Sequence, residues 1–339
     1  MSKAVKLSDI ANIVGVSIVT VSKALSDQKG VSEELRTKIK AVASELGYKQ
    51  PSVARKESIR YHSHRFGVLI ADSYLDKYQS FYWNLYQEVS TYAMDYECFA
   101  MLEVVSGEME QTLEMPKLLR EHLVEGIIII GKLSREFLDY LRKGCNVPIV
   151  YLDFMDGRAN SDAVISDSYY GAYHLTNYLI SKGHRDIAFV GTILATPSIT
   201  DRYYGYVKAL LQKGIQPRPE WQIDDRHPES GIFADELLKL PEKMPTAFFC
   251  NCDILAAKLI HLLNDNGYRV PEDVSVVGFD NYVHPGICNI GITTYAVEQK
   301  DMAEQAMNIL IKRMNHETCQ YGTRIVEGHL IRKESVAPR

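Results

Sequence analysis

The chain has 339 residues, 46% hydrophobic and 24% charged, with a formal net charge of −5. This composition excludes a disordered, collagen-like or disulfide-scaffold protein, and the length allows two or three domains whose cores need no staples. The charge is uneven: residues 1–65 hold twelve Lys and Arg against six Asp and Glu (+6), and the rest holds 26 against 37 (−11). A basic head on an acidic body points to a polyanion that meets the head alone; a solvated basic face is the plainer alternative.

Residues 6–47 read as three short helices. Ser8 is the expected N-cap of the first, with Asp9 in its opening turn and Ile10, Ala11 and Val14 as its apolar stripe. Gly15 ends it, and Ser17 opens the second, which turns Val21, Ala24 and Leu25 inward. Ser32 caps a third, with Glu33 and Glu34 in its first turn, a buried face from Leu35 to Leu46, and Gly47 as its stop. Two helices and a Gly-containing turn within LSDIANIVGVSIVTVSKAL form a helix-turn-helix signal. Such a motif lays the second helix in the major groove of double-stranded DNA, presenting Ile18, Val19, Ser22 and Lys23. Lys23 is placed to donate to guanine, and Ile18 and Val19 to meet thymine methyls. Ser17, Thr20 and the helix-start amides near Ser8 and Ser32 suit phosphates. A small helical bundle that binds protein is the competing reading.

The stretch 48–65, YKQPSVARKESIRYHSHR, is basic and poor in large aliphatics. It reads as a linker with a short helix after Pro51. From residue 66, strands alternate with amphipathic helices. The expected strands are 66–71, 99–105, 126–130, 149–153, 163–166, 187–191, 247–250 and 274–280. Helices are expected at 81–95, 110–123, 168–182, 201–213, 230–239 and 253–266. The rhythm implies parallel, doubly wound sheets, and about 270 residues of it imply two lobes. The longest aliphatic run, residues 127–130, is too short to span a bilayer. No apolar core with a cleavage site opens the chain, so a cytoplasmic protein with no membrane partner is expected.

Chemistry-bearing motifs are scarce. Cys98, Cys145, Cys288 and Cys319 are scattered, and Cys250-x-Cys252 has no second half for a metal site. His62-x-His64 lacks a third ligand, and His184 sits in a turn signal. No metalloprotease, nucleophile-elbow, P-loop or dinucleotide motif occurs. No catalytic residue, metal or cofactor is therefore expected. A cleft between two doubly wound lobes is lined by loops at the carboxyl ends of strands. That rule selects Asp72, Tyr74, Asp153, Cys252, Asp253, Asp280 and Asn281, with Arg202 near a helix start. Asp153, Arg202 and Asp280 suit vicinal hydroxyls, and Tyr74, Phe81 and Tyr82 suit the apolar face of a sugar. Each has a plainer role: Arg202 in a surface ion pair, Asp280 in a turn, Asp253 as a helix cap, Phe81 and Tyr82 in the core.

The segment IANIVGVSIVTVSKALSDQKGVSEELRTKIKAVASELGY, the following QPSVAR, and GHRDIAFVG, DRYYGY, PTAFFCNCD, VPEDVSVVGFDN, ITT and IRKESV resemble the lactose-repressor (LacI/GalR) family of bacterial transcription regulators over essentially the whole chain. The resemblance implies an α/β protein: a small all-α helix-turn-helix head joined to a two-lobed, doubly wound, periplasmic-binding-protein-like core. It implies a DNA-binding domain at 1–49, a hinge at 50–65, and an effector-binding and dimerisation domain at 66–339. In the family a hinge helix enters the minor groove and wedges a leucine between base pairs. Here Ala54 and Arg55 match, and Glu57 stands at the leucine position. Either the register slips by one residue or the operator is bent less; Arg55 and Lys56 still suit a narrow minor groove.

The resemblance also carries over Arg202, in R-x-x-G ending at Gly205, as the arginine that holds the effector. Asp280 in GFDN is its acidic partner, Asp153 a ligand contact, and Phe81 and Tyr82 a first-lobe aromatic pair. Arg226 stands where relatives place an aromatic ring, which tilts the expectation towards an anionic ligand. The expected protein is a homodimeric repressor of carbohydrate-metabolism genes. Its partners are a pseudo-palindromic operator and a sugar or sugar derivative. The alternatives are a regulator responding to a phosphorylated carrier protein, a sugar-binding protein without DNA activity, and an enzyme on the same fold. The chain shows no trailing leucine heptad after IRKESVAPR, so a dimer is expected rather than a tetramer.

Overall fold

Six residues with no exposed surface or nearly none, Ile10, Ala11, Val21, Ala24, Ile39 and Ala43, form the centre of the N-terminal unit. The chain divides into two units, Met1–His62 and Ser63–Arg339. The computed structural model describes residues 6–25, 30–46, 48, 64–75, 80–158, 160–227, 231–282 and 287–339. Among them, no single helix is long and apolar enough to cross a membrane.

The first unit contains α1 (Leu7–Val14), α2 (Ile18–Leu25) and α3 (Glu33–Glu45). Helices α1 and α2 meet at 105°, within the range of a helix-turn-helix pair. Gly15 makes the corner at φ +79°, a left-handed position where only glycine avoids a Cβ penalty. One expectation is corrected. Ser8 lies inside the first turn, and Lys6 is the cap residue, because the Asp9 carboxylate accepts the Lys6 N–H at 2.8 Å. Ser17 and Ser32 do cap their helices, accepting the amides of Thr20 at 3.1 Å and Leu35 at 3.4 Å. Arg36 reaches from α3 to the Ala24 carbonyl at 3.2 Å and satisfies an acceptor in the last turn of α2. The expected stop at Gly47 and the helix after Pro51 lie outside the described residues.

The second unit is built of two parallel sheets. Lobe 1 holds β1 (Arg65–Ala71), β2 (Phe99–Val105), β3 (Gly126–Ile130), β4 (Ile149–Leu152), β5 (Asp162–Ser166) and, late in the chain, β11 (Gly322–Val326), in the order β11-β5-β4-β3-β1-β2. Its central strands β1, β3 and β4 are near-continuous apolar runs covered on both faces, as parallel sheets require. Phe66, Val68 and Ile70 face α4 (Phe81–Asp95) and α11 (Gln299–Met314), and Leu69, Ile127 and Ile129 face α7 (Arg135–Gly144). Lobe 2 holds β6 (Ile187–Val190), β7 (Gln222–Ile223), β8 (Ala247–Cys250) and β9 (Ser275–Val277) in the order β7-β6-β8-β9. Helices α8 (Ser168–Ser181) and α9 (Pro197–Gln212) pack on one face and α10 (Asp253–Asp265) on the other. An antiparallel pair, β10 (Thr294–Ala296) and β12 (His329–Ile331), lies beside lobe 2.

Three expected helices differ. The segment 110–123 breaks into α5 (Gly107–Thr112) and α6 (Lys117–Arg120), because Leu113 turns left-handed at φ +55° and the Glu103 carboxylate accepts the amides of Lys117 and Leu118. Between 231 and 239 only a 3-10 turn, Asp235–Leu237, forms. Helix α9 starts four residues early, where the Thr196 hydroxyl accepts the Ile199 amide and Pro197 supplies a preset φ.

Candidate nucleic-acid interface and effector cleft

On α2, the residues turned away from the three-helix core are Ile18, Val19, Ser22 and Lys23, all exposed, with Ile18 at 51% and Val19 at 63%. Val21 and Ala24 face the core, so helical spacing alone creates a four-residue outward face. The Ser17 hydroxyl already serves two partners, the Thr20 amide and the Thr20 hydroxyl at 2.8 Å. Ser8 is half-buried within α1, and Ser32 is exposed at the start of α3. Ala54, Arg55, Lys56 and Glu57 lie outside the described residues.

In the second unit the carboxyl ends of the two sheets meet around Arg202. This residue sits one and a half turns into α9 and is 5% exposed. Each of its three nitrogens has a partner. Nε donates to Ser168 Oγ at 3.3 Å, Nη1 to the Asn251 carbonyl at 2.5 Å, and Nη2 lies 2.9 Å from Asp280 Oδ1. The Arg202–Asp280 pair is thus a close, nearly buried ion pair. The guanidinium also lies over the Phe279 ring, 3.9 Å from its centroid.

Asp153 reaches the same place from lobe 1, beside the Tyr82 and Ser166 hydroxyls. Burial pushes its carboxyl up to about 7; Asp280 adds to the rise, and Arg202, Tyr82 and Ser166 oppose it. Burial raises Asp280 as well, against the pull of Arg202. Both aspartates have left-handed backbones, φ +66° and +93°. Such residues cost about 1–3 kcal/mol each and concentrate where a site needs them. Tyr82 stacks 4.5 Å from Tyr74 and edge-on to Phe81 at 5.4 Å. Gly131 permits this, because a Cβ there would come within 2.8 Å of the Tyr74 ring.

The remaining sequence candidates divide. Asp72 is exposed and lies outside the buried cluster. Cys252 is the cap residue of α10, and burial pushes its thiol up to about 12, far from a reactive thiolate. Asp253 is 2% exposed and accepts the Tyr282 amide at 2.9 Å, which pins the loop beside Asp280. Burial and the Asp280 charge push it up to about 8. Arg226 is buried, but its guanidinium forks onto Asp225 at 2.6 and 3.0 Å and lies over the Phe233 ring. Arg226 is therefore paired with Asp225 and does not stand as a lone cation. Sequence reasoning missed Asp225, Asn251, Thr192 and Ser168. Asn251 links the two ion pairs, since its carbonyl accepts from Arg202 and its amide donates to Asp225 at 3.0 Å. Its place after β8, beside the selected Cys252, was the available signal.

The raised Asp153 carboxyl has a measurable consequence. Below its ordinary value of 3.8 the group is neutral whether the chain is folded or not. As pH rises towards 7 the unfolded chain ionises first, so the native state loses stability across that window. Asp153→Asn is expected to flatten the fall in unfolding midpoint between pH 5 and 8 and to match or exceed the parent at pH 8. An unchanged slope would place a solvated or fully paired carboxylate at this position.

Residues 6–51 match the family described as bacterial regulatory proteins, lacI family, and residues 176–336 match the periplasmic binding protein-like domain. An HTH-type transcriptional repressor PurR from Actinobacillus pleuropneumoniae serotype 3 (strain JL03) is 30% identical over 335 residues, covering 97% of this chain and 98% of the relative. A PurR repressor from Pectobacterium carotovorum subsp. carotovorum (strain PC1) is 30% identical over 339 residues, covering 98% and 96%. Among solved structures, the transcriptional regulator CelR–cellobiose complex aligns at a TM-score of 0.71 with 22% identity over 98% of this chain and 99% of that one. The lac repressor dimer bound to operator and the anti-inducer ONPF aligns at 0.66 with 22% identity over 99% and 100%.

Proposed function

The chain belongs to the LacI family of bacterial transcription regulators, and from that premise we propose that it is a homodimeric, ligand-responsive repressor whose effector is a neutral, hydroxyl-rich small molecule of the sugar class. The observation that carries the effector reading is the buried set of Asp153, Arg202 and Asp280, drawn from both lobes. The cleft holds four acidic side chains (Asp153, Asp225, Asp253 and Asp280) and two guanidiniums, and burial pushes Asp153 up to about 7 and Asp253 up to about 8. With each guanidinium already facing a carboxylate, little unbalanced positive charge is left for an anion, while the acidic side chains exchange hydrogen bonds with hydroxyls, and the Tyr74, Phe81 and Tyr82 rings supply an apolar wall. An effector that spans the lobes shifts the equilibrium between their arrangements by its difference in affinity for the two.

In this reading Ile18, Val19, Ser22 and Lys23 face the operator, and Ser8, Ser17, Thr20 and Ser32 lie by its phosphates. Dimerisation through lobe 1 is supported by the edge strand β2 and its surroundings, where Met94, Phe99 and Val104 stay exposed.

A thermal-shift screen of the full chain tests the effector class, with neutral sugars, sugar phosphates, sugar acids and purines as the panel. A ligand at 100 times its Kd adds about 2.7 kcal/mol, which raises the midpoint by several degrees at about 2–4 °C per kcal/mol. Neutral sugars are expected to score and sugar acids to fail, and the hit should vanish in Asp280→Ala. A hit confined to phosphorylated compounds or purines would overturn the class.

A further inference from the structure

Three segments carry the chain between the lobes: Asp167 between β5 and α8, Val297 and Glu298 between β10 and α11, and Glu327 and Gly328 between β11 and β12. Any rotation of one lobe on the other is absorbed by backbone torsions in these segments. Tyr295, in the middle of β10 and 3% exposed, touches their surroundings on every side. Its hydroxyl donates to the Gly328 carbonyl at 2.9 Å and accepts the Gly328 N–H at 3.1 Å. Its ring rests on Gly171 in the first turns of α8, where a Cβ would come within 2.7 Å of it. The Tyr295 carbonyl accepts the Asp280 amide at 2.9 Å, and Val326 accepts the Asp167 amide at 3.0 Å, tying the first crossover to the third. Asp167, Glu298 and Glu327, one acid from each crossover, lie close enough to act with burial in raising the hydroxyl to about 12.

The other face of Tyr295 leads to the cleft. Its ring packs on Phe279, with centroids 5.2 Å apart and planes at 35°, and the Arg202 guanidinium covers Phe279. Phe279 and Tyr295 are both buried, so movement of Arg202 meets closely packed rings rather than free space.

We propose that Tyr295 is the positioning residue that transmits the state of the cleft to the interlobe crossovers, through the stack Arg202–Phe279–Tyr295 and the paired hydrogen bonds between its hydroxyl and Gly328. A lobe rotation that turns the backbone at Gly328 strains that hydroxyl pair, and through Tyr295 the strain reaches the ring stack and Arg202. The inference rests on the reading of the cleft as the effector site, but its test needs neither effector nor operator.

Hydrogen exchange by mass spectrometry on the full-length chain, without ligand, compares the parent, Tyr295→Phe, Asp280→Asn and the double variant. Asp280→Asn loosens Arg202 from one side. In the parent background it should speed exchange in 166–168, 296–299 and 326–329 several-fold. In the Tyr295→Phe background those amides should already exchange faster, and Asp280→Asn should add nothing to them while still loosening 279–282. Non-additivity of this kind is what coupling predicts. A merely structural tyrosine would leave the effect of Asp280→Asn equal in both backgrounds, and that result overturns the proposal. So does an unchanged hinge in Asp280→Asn, or acceleration in Tyr295→Phe that spreads through β6 and β8 as general unfolding. A flat thermal-shift panel, in contrast, counts against the effector reading alone.

Discussion

Arg202→Ala is expected to lower folding stability by about 3–5 kcal/mol, the cost of leaving a buried charge without its partner. Four interactions disappear together: the 2.9 Å pair with Asp280, the bonds to the Asn251 carbonyl and to Ser168 Oγ, and the cover over Phe279. Asp280 is then buried with its opposing cation gone. Burial already holds Asp280 above the usual carboxylate range while Arg202 is present, and removing the arginine raises it further. The sign of the pH effect follows. A carboxyl whose folded pKa exceeds its unfolded pKa costs stability above the unfolded value and recovers it as pH falls. The deficit of Arg202→Ala should therefore shrink between pH 8 and 5, as Asp280 takes up its proton. Urea unfolding at several pH values measures this, and the double variant Arg202→Ala with Asp280→Ala closes the cycle. Because removing both partners leaves no orphan charge, the double variant should be more stable than Arg202→Ala alone. A double variant that loses the sum of the two single losses would mean that Arg202 acts by packing, not by pairing.

How much of this was legible beforehand depends on which residues the physics made local. The head was nearly complete in sequence, because caps, a left-handed glycine and 3.6-residue spacing are short-range signals. Ser17, Ser32 and Gly15 sit where such signals put them. The miss at Ser8 came from a stronger competitor one residue away, the Asp9 carboxylate, which takes the Lys6 amide. The inner strands of both lobes were legible because burial on two faces leaves unbroken apolar runs, whereas the edge strands β7 and β11 carry no such run and were not expected. The rule that ligands meet strand carboxyl ends selected Asp153 and Asp280, which the fold brings together with Arg202, a residue chosen for its place near a helix start. Asp72, selected by the same rule, is exposed after β1 and stands apart from that cluster. Neither the charge balance of the cleft nor the role of Tyr295 had a local signature. Asp225 cancels Arg226 across a single peptide bond, but Asn251 joins that pair to Arg202 only because β6 and β8 are neighbours. Tyr295 and Gly328 are 33 residues apart and meet through the antiparallel pairing of β10 and β12.

Operator affinity should fall by about 10³–10⁵ between 50 and 200 mM salt if the dimer neutralises roughly 6–10 phosphates. The charge distribution makes the prediction sharper than for an evenly charged protein. The +6 of residues 1–65 is the attractive part and the −11 of the remainder repels DNA, so the whole electrostatic gain must come from the small head. A site selected from random duplexes by the protein itself supplies the operator, and fluorescence anisotropy across a salt series supplies the slope, near −0.9 per phosphate. Lys23→Ala then separates two roles for the exposed lysine on α2. If Lys23 reads a guanine, its loss should cost about 1–3 kcal/mol of discrimination at one base pair per half-site and leave the salt slope unchanged. If it serves a phosphate, affinity should fall equally on all sequences, with a slope shallower by about one contact per half-site. A salt slope near zero for the parent would remove DNA as the partner of the basic head, and Ile18 and Val19 would then be the exposed apolar face of a protein-binding bundle.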